Sequence, residues 1–214
     1  DNYILSFYHD IPFEDGSGTD FRSFPDGTYC FYYGSKKKDQ WITDVMYEFY
    51  YTKYQSGSQH DRPATPEEME KQDPNSHFYG RKVLGGCDNY FNNGEYRSGW
   101  TLYERVIGSP FMTPGRSGNI TRIINNRVIA HHVGMKGMAW QTTPYKLMLS
   151  YSRNYGIYGS PMKKNQFSGA LEVTLPFKNL PFTVETGIYG DLGDLFKDNF
   201  GFTIKLSRKG KLIK

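Results

Sequence analysis

The alternation of side chains between Tyr145 and Ser152 constrains the fold more than any other feature of this sequence. Every second position is apolar or aromatic: Tyr145, Leu147, Leu149 and Tyr151. More polar residues lie between them: Lys146, Met148, Ser150 and Ser152. A period of two residues is typical of a β-strand with two chemically different faces. Residues 127–140 fit the antiparallel partner strand, joined by a short polar turn at 141–144, so we expect one long hairpin.

The same period recurs along the chain and predicts further strands: 3–8, 28–34, 40–54, 166–175, 182–189 and 200–206. In the best of these, Asp44 and Glu48 share one face while Val45, Tyr47 and Phe49 share the other. Carboxylates are costly against hydrocarbon but compatible with a wet interior. The sequence therefore predicts an all-β fold of about eight antiparallel strands in one domain, 1–214, with one wet and one apolar face.

The connections between these strands separate by length. Four are longer: Asp10–Gly27, Gln55–Gly118, Asn154–Asn165 and Gly190–Asn199. The three that alternate with them are short: Gly34–Asp39, Gln141–Pro144 and Pro176–Pro181. Short turns at one end and long loops at the other are typical of an up-and-down transmembrane β-barrel, with short periplasmic turns and long extracellular loops. We expect the longest loop, at about 55–118, to be extracellular.

Composition favours the same fold class. Aromatic residues make up 17% of the chain although the hydrophobic fraction is 37%. Membrane barrels have aromatic girdles at both interfaces and a polar interior, which produces this combination. The chain has no run of 18 apolar residues that could form a transmembrane helix. The alternative is a soluble, tyrosine-rich β-sandwich.

Charge and cysteine content exclude little. The net charge of +4 is spread along the chain, and without a continuous basic face we expect no nucleic-acid partner. Cys30 falls in a predicted strand and Cys87 in a loop, so a disulfide is neither indicated nor excluded. Because the sequence begins at Asp1, we expect a mature protein or a fragment of a longer one.

No catalytic, cofactor or metal motif stands out. His131 and His132 are adjacent, so in a strand they point to opposite faces and cannot share one ion. The run 88–95 fails the EF-hand spacing at Tyr90. Charged residues on the wet face could act as acid and base, but an interior ion-pair network explains them better: Asp44, Glu48, Glu172, Glu185, Lys146 and Lys205. We therefore expect a protein that is not an enzyme and that uses no cofactor and no metal.

The second part of the long loop carries residue types suited to carbohydrate. Aromatic faces cover the apolar C–H side of a sugar ring, while amide and guanidinium groups bond its hydroxyls. The candidate polysaccharide-binding residues are Tyr90, Asn92, Asn93, Tyr96, Arg97, Trp100, Tyr103 and Arg105. The alternative is that these aromatic residues pack the loop over the mouth of the barrel.

Three runs resemble the capsule assembly Wzi family of Bacteroidetes-type bacteria: YFNNGEYRSGWTLYERVIGSPFM (Tyr90–Met112), NNRVIAHHVGMKG (Asn125–Gly137) and YKLMLSYSRNYG (Tyr145–Gly156). The resemblance covers the second half of the chain well and the first half loosely. It implies a bacterial outer-membrane β-barrel that acts as a lectin and holds capsular or surface polysaccharide without catalysis. Family members have a larger barrel, so this chain looks like the C-terminal part of one.

Three functions remain open from the sequence. The first is a non-enzymatic outer-membrane barrel that contacts lipid and binds surface polysaccharide through its extracellular loops. The second is an outer-membrane porin or transport channel, which would need a charged lumen that the long loop leaves open. The third is a barrel enzyme, which would need a Ser/His or Asp/His cluster at one rim.

Overall fold

A computed structural model describes residues 2–12, 21–58, 61–177 and 181–208 of the chain. The fold is all-β, as predicted, and its main body is one antiparallel sheet of eight strands. The strands of this sheet are β1 (Tyr3–Asp10), β2 (Gly27–Ser35), β3 (Asp44–Tyr51), β10 (Val128–Ala139), β11 (Thr143–Ile157), β12 (Ser160–Leu175), β13 (Thr183–Gly193) and β14 (Asn199–Ser207). Each pairs with its predecessor in that order, which gives an up-and-down meander.

The meander is interrupted once, by the long insertion 52–127 between β3 and β10. The insertion carries three small hairpins and one short helix, α1 (Pro66–Met69). The hairpin strands are β4 (Asp61–Pro63) with β5 (Arg81–Val83), β6 (Thr101–Leu102) with β7 (Arg105–Val106), and β8 (Thr113–Ser117) with β9 (Ile120–Asn125). Within the described residues β1 and β14 do not pair with each other, so the sheet is open and a closed barrel is not seen.

The predicted alternation of long and short connections is only half right. The expected loop 154–165 is wrong, because β11 and β12 continue to Ile157 and Ser160. Gly156, at φ 74°, accommodates a register shift after Asn154, and the strands stay paired beyond it. The loop after β13 also shortens, to residues 194–198, because β13 extends to Gly193. The connections at 10–27 and within the insertion are the long ones.

The short helix α1 is capped by Thr65. The Thr65 hydroxyl accepts a hydrogen bond from the Glu68 backbone N–H at 3.3 Å, and Glu68 Oε2 accepts one from the Thr65 N–H at 3.0 Å. This reciprocal capping box satisfies two amides that a helix of this length otherwise leaves unpaired. Arg62 adds a bidentate ion pair to Glu68 at 2.8 Å.

The strand register sorts the side chains onto two faces. One apolar row crosses all eight strands: Leu5, Tyr33, Val45, Met135, Leu147, Leu171, Ile188 and Phe202. We call the face that carries this row the apolar face. The opposite, polar face carries the row Cys30, Glu48, His132, Ser150, Ser168 and Asp191. Because side chains alternate along each strand, the two rows cannot mix.

Burial is inverted relative to a water-soluble β-protein. Large apolar side chains on the apolar face are exposed, such as Phe7 at 68% and Ile204 at 61%, whereas polar ones on the other face are buried, such as Asn154 at 1% and Gln166 at 4%. The described hydrophobic core is small and lies within the insertion, where Tyr90, Met112 and Ile123 pack together. A soluble sandwich would bury the apolar face against a second sheet, and the described residues supply no such layer.

Aromatic side chains border the aliphatic part of the apolar face at both ends. Toward the insertion, one row across seven strands reads His9, Tyr29, Phe49, His131, Tyr151, Phe167 and Leu192. His9 stacks on Tyr29 with centroids 4.0 Å apart. At the turn end Trp41 and Trp140 meet edge to face at 5.3 Å, and the Tyr145 hydroxyl donates to the Trp41 carbonyl at 2.7 Å. We call these ends the loop end and the turn end.

Candidate functional site

The most exposed aromatic residues of the insertion lie on and beside the β6–β7 hairpin. Its two-residue turn, Tyr103-Glu104, has φ values of 47° and 63°. A turn of this hand suits a β-hairpin, but glycine or asparagine normally occupies it, so two larger residues here store strain. Tyr103 is 90% exposed at the tip. The turn thus projects the Tyr103 ring into solvent, although the backbone conformation at this position is unfavourable for a tyrosine.

Six of the eight predicted sugar-contacting residues are exposed together on this part of the insertion: Asn93, Tyr96, Arg97, Trp100, Tyr103 and Arg105. The Trp100 ring is held edge to face against Phe91 at 6.0 Å, and its backbone N–H donates to the Phe91 carbonyl at 2.8 Å. The Ile107 N–H donates in turn to the Trp100 carbonyl at 2.9 Å, which closes the base of the hairpin. The surface therefore offers rings and guanidinium groups on a hydrogen-bonded support.

The other two predicted residues, Tyr90 and Asn92, are buried. Tyr90 is 3% exposed and Asn92 is 7% exposed, so neither side chain is open to a ligand. Asn92 bonds both backbone groups of Ile123, donating to the carbonyl at 2.9 Å and accepting from the N–H at 3.0 Å. These two residues hold the insertion in place, which is the packing alternative that the sequence left open.

A buried carboxylate ties the insertion to the loop end of the sheet. Asp26 lies just before β2 and accepts hydrogen bonds from the Tyr54 N–H at 2.9 Å, the Gln55 N–H at 2.6 Å and the Tyr90 hydroxyl at 2.8 Å. Burial raises the pKa of Asp26, although the backbone bonds from Gln55 and Tyr54 and the Tyr90 hydroxyl lower it. Burial beside Asp26 also raises the pKa of Tyr90. The contact joins three separate parts of the chain.

Buried amides extend this anchor. The Asn126 side chain donates to Asn89 Oδ1 at 2.7 Å and to the Tyr90 carbonyl at 2.8 Å, while Asn126 Oδ1 accepts from Gln55 at 3.1 Å. Asn125 donates to Asn154 Oδ1 of β11 at 2.8 Å. Apart from Gln55 Oε1, which is buried without a partner among the described residues, these buried amides are hydrogen-bonded, and such pairing favours one arrangement. The exposed hairpin is therefore built on a rigid base.

The two histidines of β10 behave as the strand period predicts. On the apolar face His131 Nδ1 lies 2.8 Å from the Tyr47 hydroxyl, and on the polar face His132 Nδ1 lies 2.7 Å from Ser150 Oγ. Among the described residues no group of three or more His, Cys, Asp or Glu side chains could hold a metal ion. Neither Cys30 nor Cys87 forms a disulfide.

Of the charged residues for which an ion-pair network was predicted, all except Glu48 form ion pairs on the polar face. Lys136 Nζ lies 3.5 Å from Asp44, Lys146 Nζ lies 3.9 Å from Glu172, and Lys205 Nζ lies 2.9 Å from Glu185. All of them except Asp44 line a cleft of about 380 Å³ near the turn end. Tyr32 and Tyr189 add hydroxyl bonds to Asp44 and Glu172. Each lysine there has a carboxylate partner, so this surface is close to neutral.

The Ser150–His132 contact is the cluster that an enzyme would need. It borders a cavity of about 240 Å³ whose other walls include Glu48, Phe111 and Phe196. Glu48 faces His132 across the β3–β10 pair, but its carboxylate accepts from the Tyr8 hydroxyl at 2.5 Å. In the described part of the chain no carboxylate bonds the His132 ring to orient it, so the arrangement lacks the third member of a triad.

No protein-family model, curated protein or solved structure matches this chain. None of the helices among the described residues is long and apolar enough to cross a membrane.

Proposed function

We propose that the chain is part of an outer-membrane β-barrel, wider than its own eight strands, that binds surface polysaccharide without catalysis. The observation that carries the membrane part is the apolar row that crosses every strand of the sheet. Lipid is the medium that such a face requires when no protein layer covers it. The aromatic residues at the loop end and the turn end support the same placement, because membrane barrels carry aromatic girdles at both interfaces.

The exposed hairpin supports the polysaccharide part of the proposal. Tyr96 is 78% exposed, Trp100 61% and Tyr103 90%. Because these three rings are so exposed, they can bind a sugar without giving up contacts inside the protein, and their apolar faces can cover its C–H groups. Arg97 and Arg105 supply hydrogen-bond donors for its hydroxyls. The buried anchor at Asp26 and Asn126 means that binding would not have to order the loop first, which reduces the cost of association.

A porin or transport channel is the second candidate, favoured by the charged groups of the polar face. Against it, the insertion folds over that face. Phe111 packs on Tyr50 of β3 with centroids 5.5 Å apart, and the Ser109 hydroxyl donates to the Tyr50 hydroxyl at 3.1 Å. A loop held over the polar face narrows the path that ions would take. We therefore rank the channel second.

Binding of purified, detergent-solubilised protein to capsular polysaccharide tests the proposal. We expect saturable binding whose affinity Trp100→Ala/Tyr103→Ala reduces by about one and a half to three orders of magnitude, because removing each aromatic anchor costs roughly 1–2 kcal/mol. The matched control is Phe78→Ala/Tyr79→Ala, which removes two exposed rings from another part of the insertion. Equal binding by both variants would exclude the hairpin as the site. Ion conductance in planar bilayers without any polysaccharide binding would favour the channel.

A further inference from the structure

Three cationic side chains cluster at the loop end of the apolar face, just beyond the aromatic row. Arg153 follows Tyr151 on β11 and pairs in register with Ile129. Arg127 lies two residues before Ile129, at the next position outward on the same face, and its carbonyl accepts from the Tyr155 N–H at 2.8 Å. Lys53 is next to Arg127, whose Nε donates to the Lys53 carbonyl at 3.0 Å. Side chains on one face at direct and diagonal positions lie roughly 5–8 Å apart.

Aromatic rings hold these cations in place. Lys53 Nζ lies 4.3 Å from the centre of the Tyr155 ring, and the Arg127 guanidinium lies 3.9 Å from the centre of the Tyr158 ring. The Arg153 side chain lies beside the hydroxyls of Tyr151 and Tyr155. A ring contact attracts a cation without neutralising it. The charge of the cluster therefore remains available to a ligand.

The cluster differs from the rest of the sheet in its charge balance. Among the described residues no carboxylate lies within ion-pair distance of Lys53, Arg127 or Arg153. On the polar face, by contrast, Lys136 and Lys205 each have one. Three uncompensated positive charges close together repel one another, so their juxtaposition favours a ligand with negative charge.

The position of the cluster identifies the ligand's chemistry. It lies beyond the aromatic row at the loop end of the apolar face, which we assign to lipid, at the level where acyl chains meet head groups. Arginine and lysine side chains near the end of a spanning segment extend to that level, and arginine binds phosphate through two parallel hydrogen bonds. If the insertion is extracellular, this is the outer leaflet.

We propose that Lys53, Arg127 and Arg153 form a binding site for the phosphate groups of a phosphorylated glycolipid in the outer leaflet. The acyl chains would lie on the apolar face below the cluster, and the sugar headgroup would stack beside Tyr155 and Tyr158. The site rests on the proposed membrane location but does not depend on polysaccharide binding by the hairpin. Lys53 and Arg127 lie at the two ends of the insertion, where it joins β3 and β10, and Arg153 lies on β11, whereas the hairpin lies further along the insertion at 101–106.

The test uses the full chain in detergent micelles and measures retention of lipid A by native mass spectrometry. The probes are bis-phosphorylated lipid A, the same lipid without phosphates, and inorganic phosphate as a competitor. We expect the wild type to retain the phosphorylated lipid in preference to the unphosphorylated one. Its affinity for the phosphorylated lipid should fall roughly thirtyfold in Arg127→Gln/Arg153→Gln, since each cation near a membrane surface contributes about a fivefold gain in affinity.

The matched control is Lys146→Gln/Lys205→Gln, which removes two positive charges from the polar face and should leave retention unchanged. Arg153→Lys should keep most of it, and circular dichroism verifies that each variant is folded. Equal retention of both lipids, or an unchanged double variant, would overturn the site. Displacement of the lipid by millimolar inorganic phosphate would assign the cluster to free phosphate instead.

The outcomes for this site and for the hairpin are separable. Trp100→Ala/Tyr103→Ala should retain phosphorylated lipid A at the wild-type level. If that variant and the wild type both ignore polysaccharide while lipid selectivity persists, the proposed polysaccharide function fails and the lipid site stands. The converse result is a wild type that binds polysaccharide and shows no preference between the two lipids, with polysaccharide binding unchanged in Arg127→Gln/Arg153→Gln. That result would refute the lipid site and leave the proposed polysaccharide function standing.

Discussion

An arginine in the middle of the apolar face should be far more damaging than one at its rim or on the opposite face. On β11 the first polar side chain of the apolar face at the turn end is Thr143, and the first charged one at the loop end is Arg153. The ten steps between them span about 33 Å along the strand and roughly 25 Å along the membrane normal at a tilt near 40°. Leu149 lies one residue from the midpoint of that span.

Leu149→Arg should therefore incur the full midplane cost. That cost is about 2–4 kcal/mol in the free energy of unfolding, or roughly 30- to 700-fold in the folding equilibrium constant. Met148→Arg, the adjacent position on the polar face, should cost much less because the side chain meets water and other charges. Asn165→Arg lies on the same face as Leu149 but at the rim, where the cost is about 0–1 kcal/mol.

Guanidinium titration of protein folded into lipid vesicles, followed by tryptophan fluorescence, measures these differences. Three tryptophans report, and none of the substitutions removes one. We expect Leu149→Arg to be the least stable of the three variants. The stabilities of Asn165→Arg and Met148→Arg should be near that of the wild type. If Leu149→Arg and Met148→Arg are equally stable, the apolar face does not contact lipid. If Met148→Arg is the more damaging of the two, the faces are assigned the wrong way round.

Two further predictions concern the insertion. Tyr90→Phe removes a donor from buried Asp26 and should lower the free energy of unfolding by about 1.5–3 kcal/mol, whereas the exposed Tyr96→Phe should not change it; equal denaturation midpoints would contradict the anchor. The Arg62 ion pair and the Thr65 N–H lower the pKa of Glu68 to about 2. The contribution of the Glu68 carboxylate to the stability of α1 should be complete above the unfolded pKa near 4.5 and should be lost as the pH falls through about 2. Amide hydrogen exchange across 65–70 measures this pH dependence, which Glu68→Gln should abolish.

The eight main strands were predictable because each carries a contrast between its two faces. In β11 the contrast between Leu147 or Leu149 and Lys146 or Ser150 is large, and period two is visible. The contrast fades toward Asn154, where Ser152, Arg153 and Asn154 place polar side chains on both faces, so the paired strand ends around Gly156 resembled a loop. The hairpins of the insertion were missed for a similar reason, since β6 and β7 have two residues each.

The site was predictable in composition but not in exposure. Tyr90 and Trp100 are both aromatic residues among asparagines and glycines, and nothing local distinguishes them. Tyr90 is buried because its hydroxyl meets Asp26, which lies 64 positions earlier in the chain. The Trp100 ring packs edge to face against Phe91 and stays open to solvent. A long-range polar partner decides which ring anchors the loop, and a single sequence does not encode that pairing in any local pattern.

The size of the polar side chains bears on how the open sheet could be completed. Lipid tolerates no unpaired strand edge, so an apolar face in contact with lipid requires partners for both β1 and β14. Pairing the two with each other would give an eight-stranded barrel, whose interior is just wide enough for side chains. This polar face already carries Tyr50 and Tyr189, and Phe111 of the insertion packs onto it. Side chains and a loop segment together overfill so narrow a cylinder, which is why we favour further strands at both edges and a wider barrel.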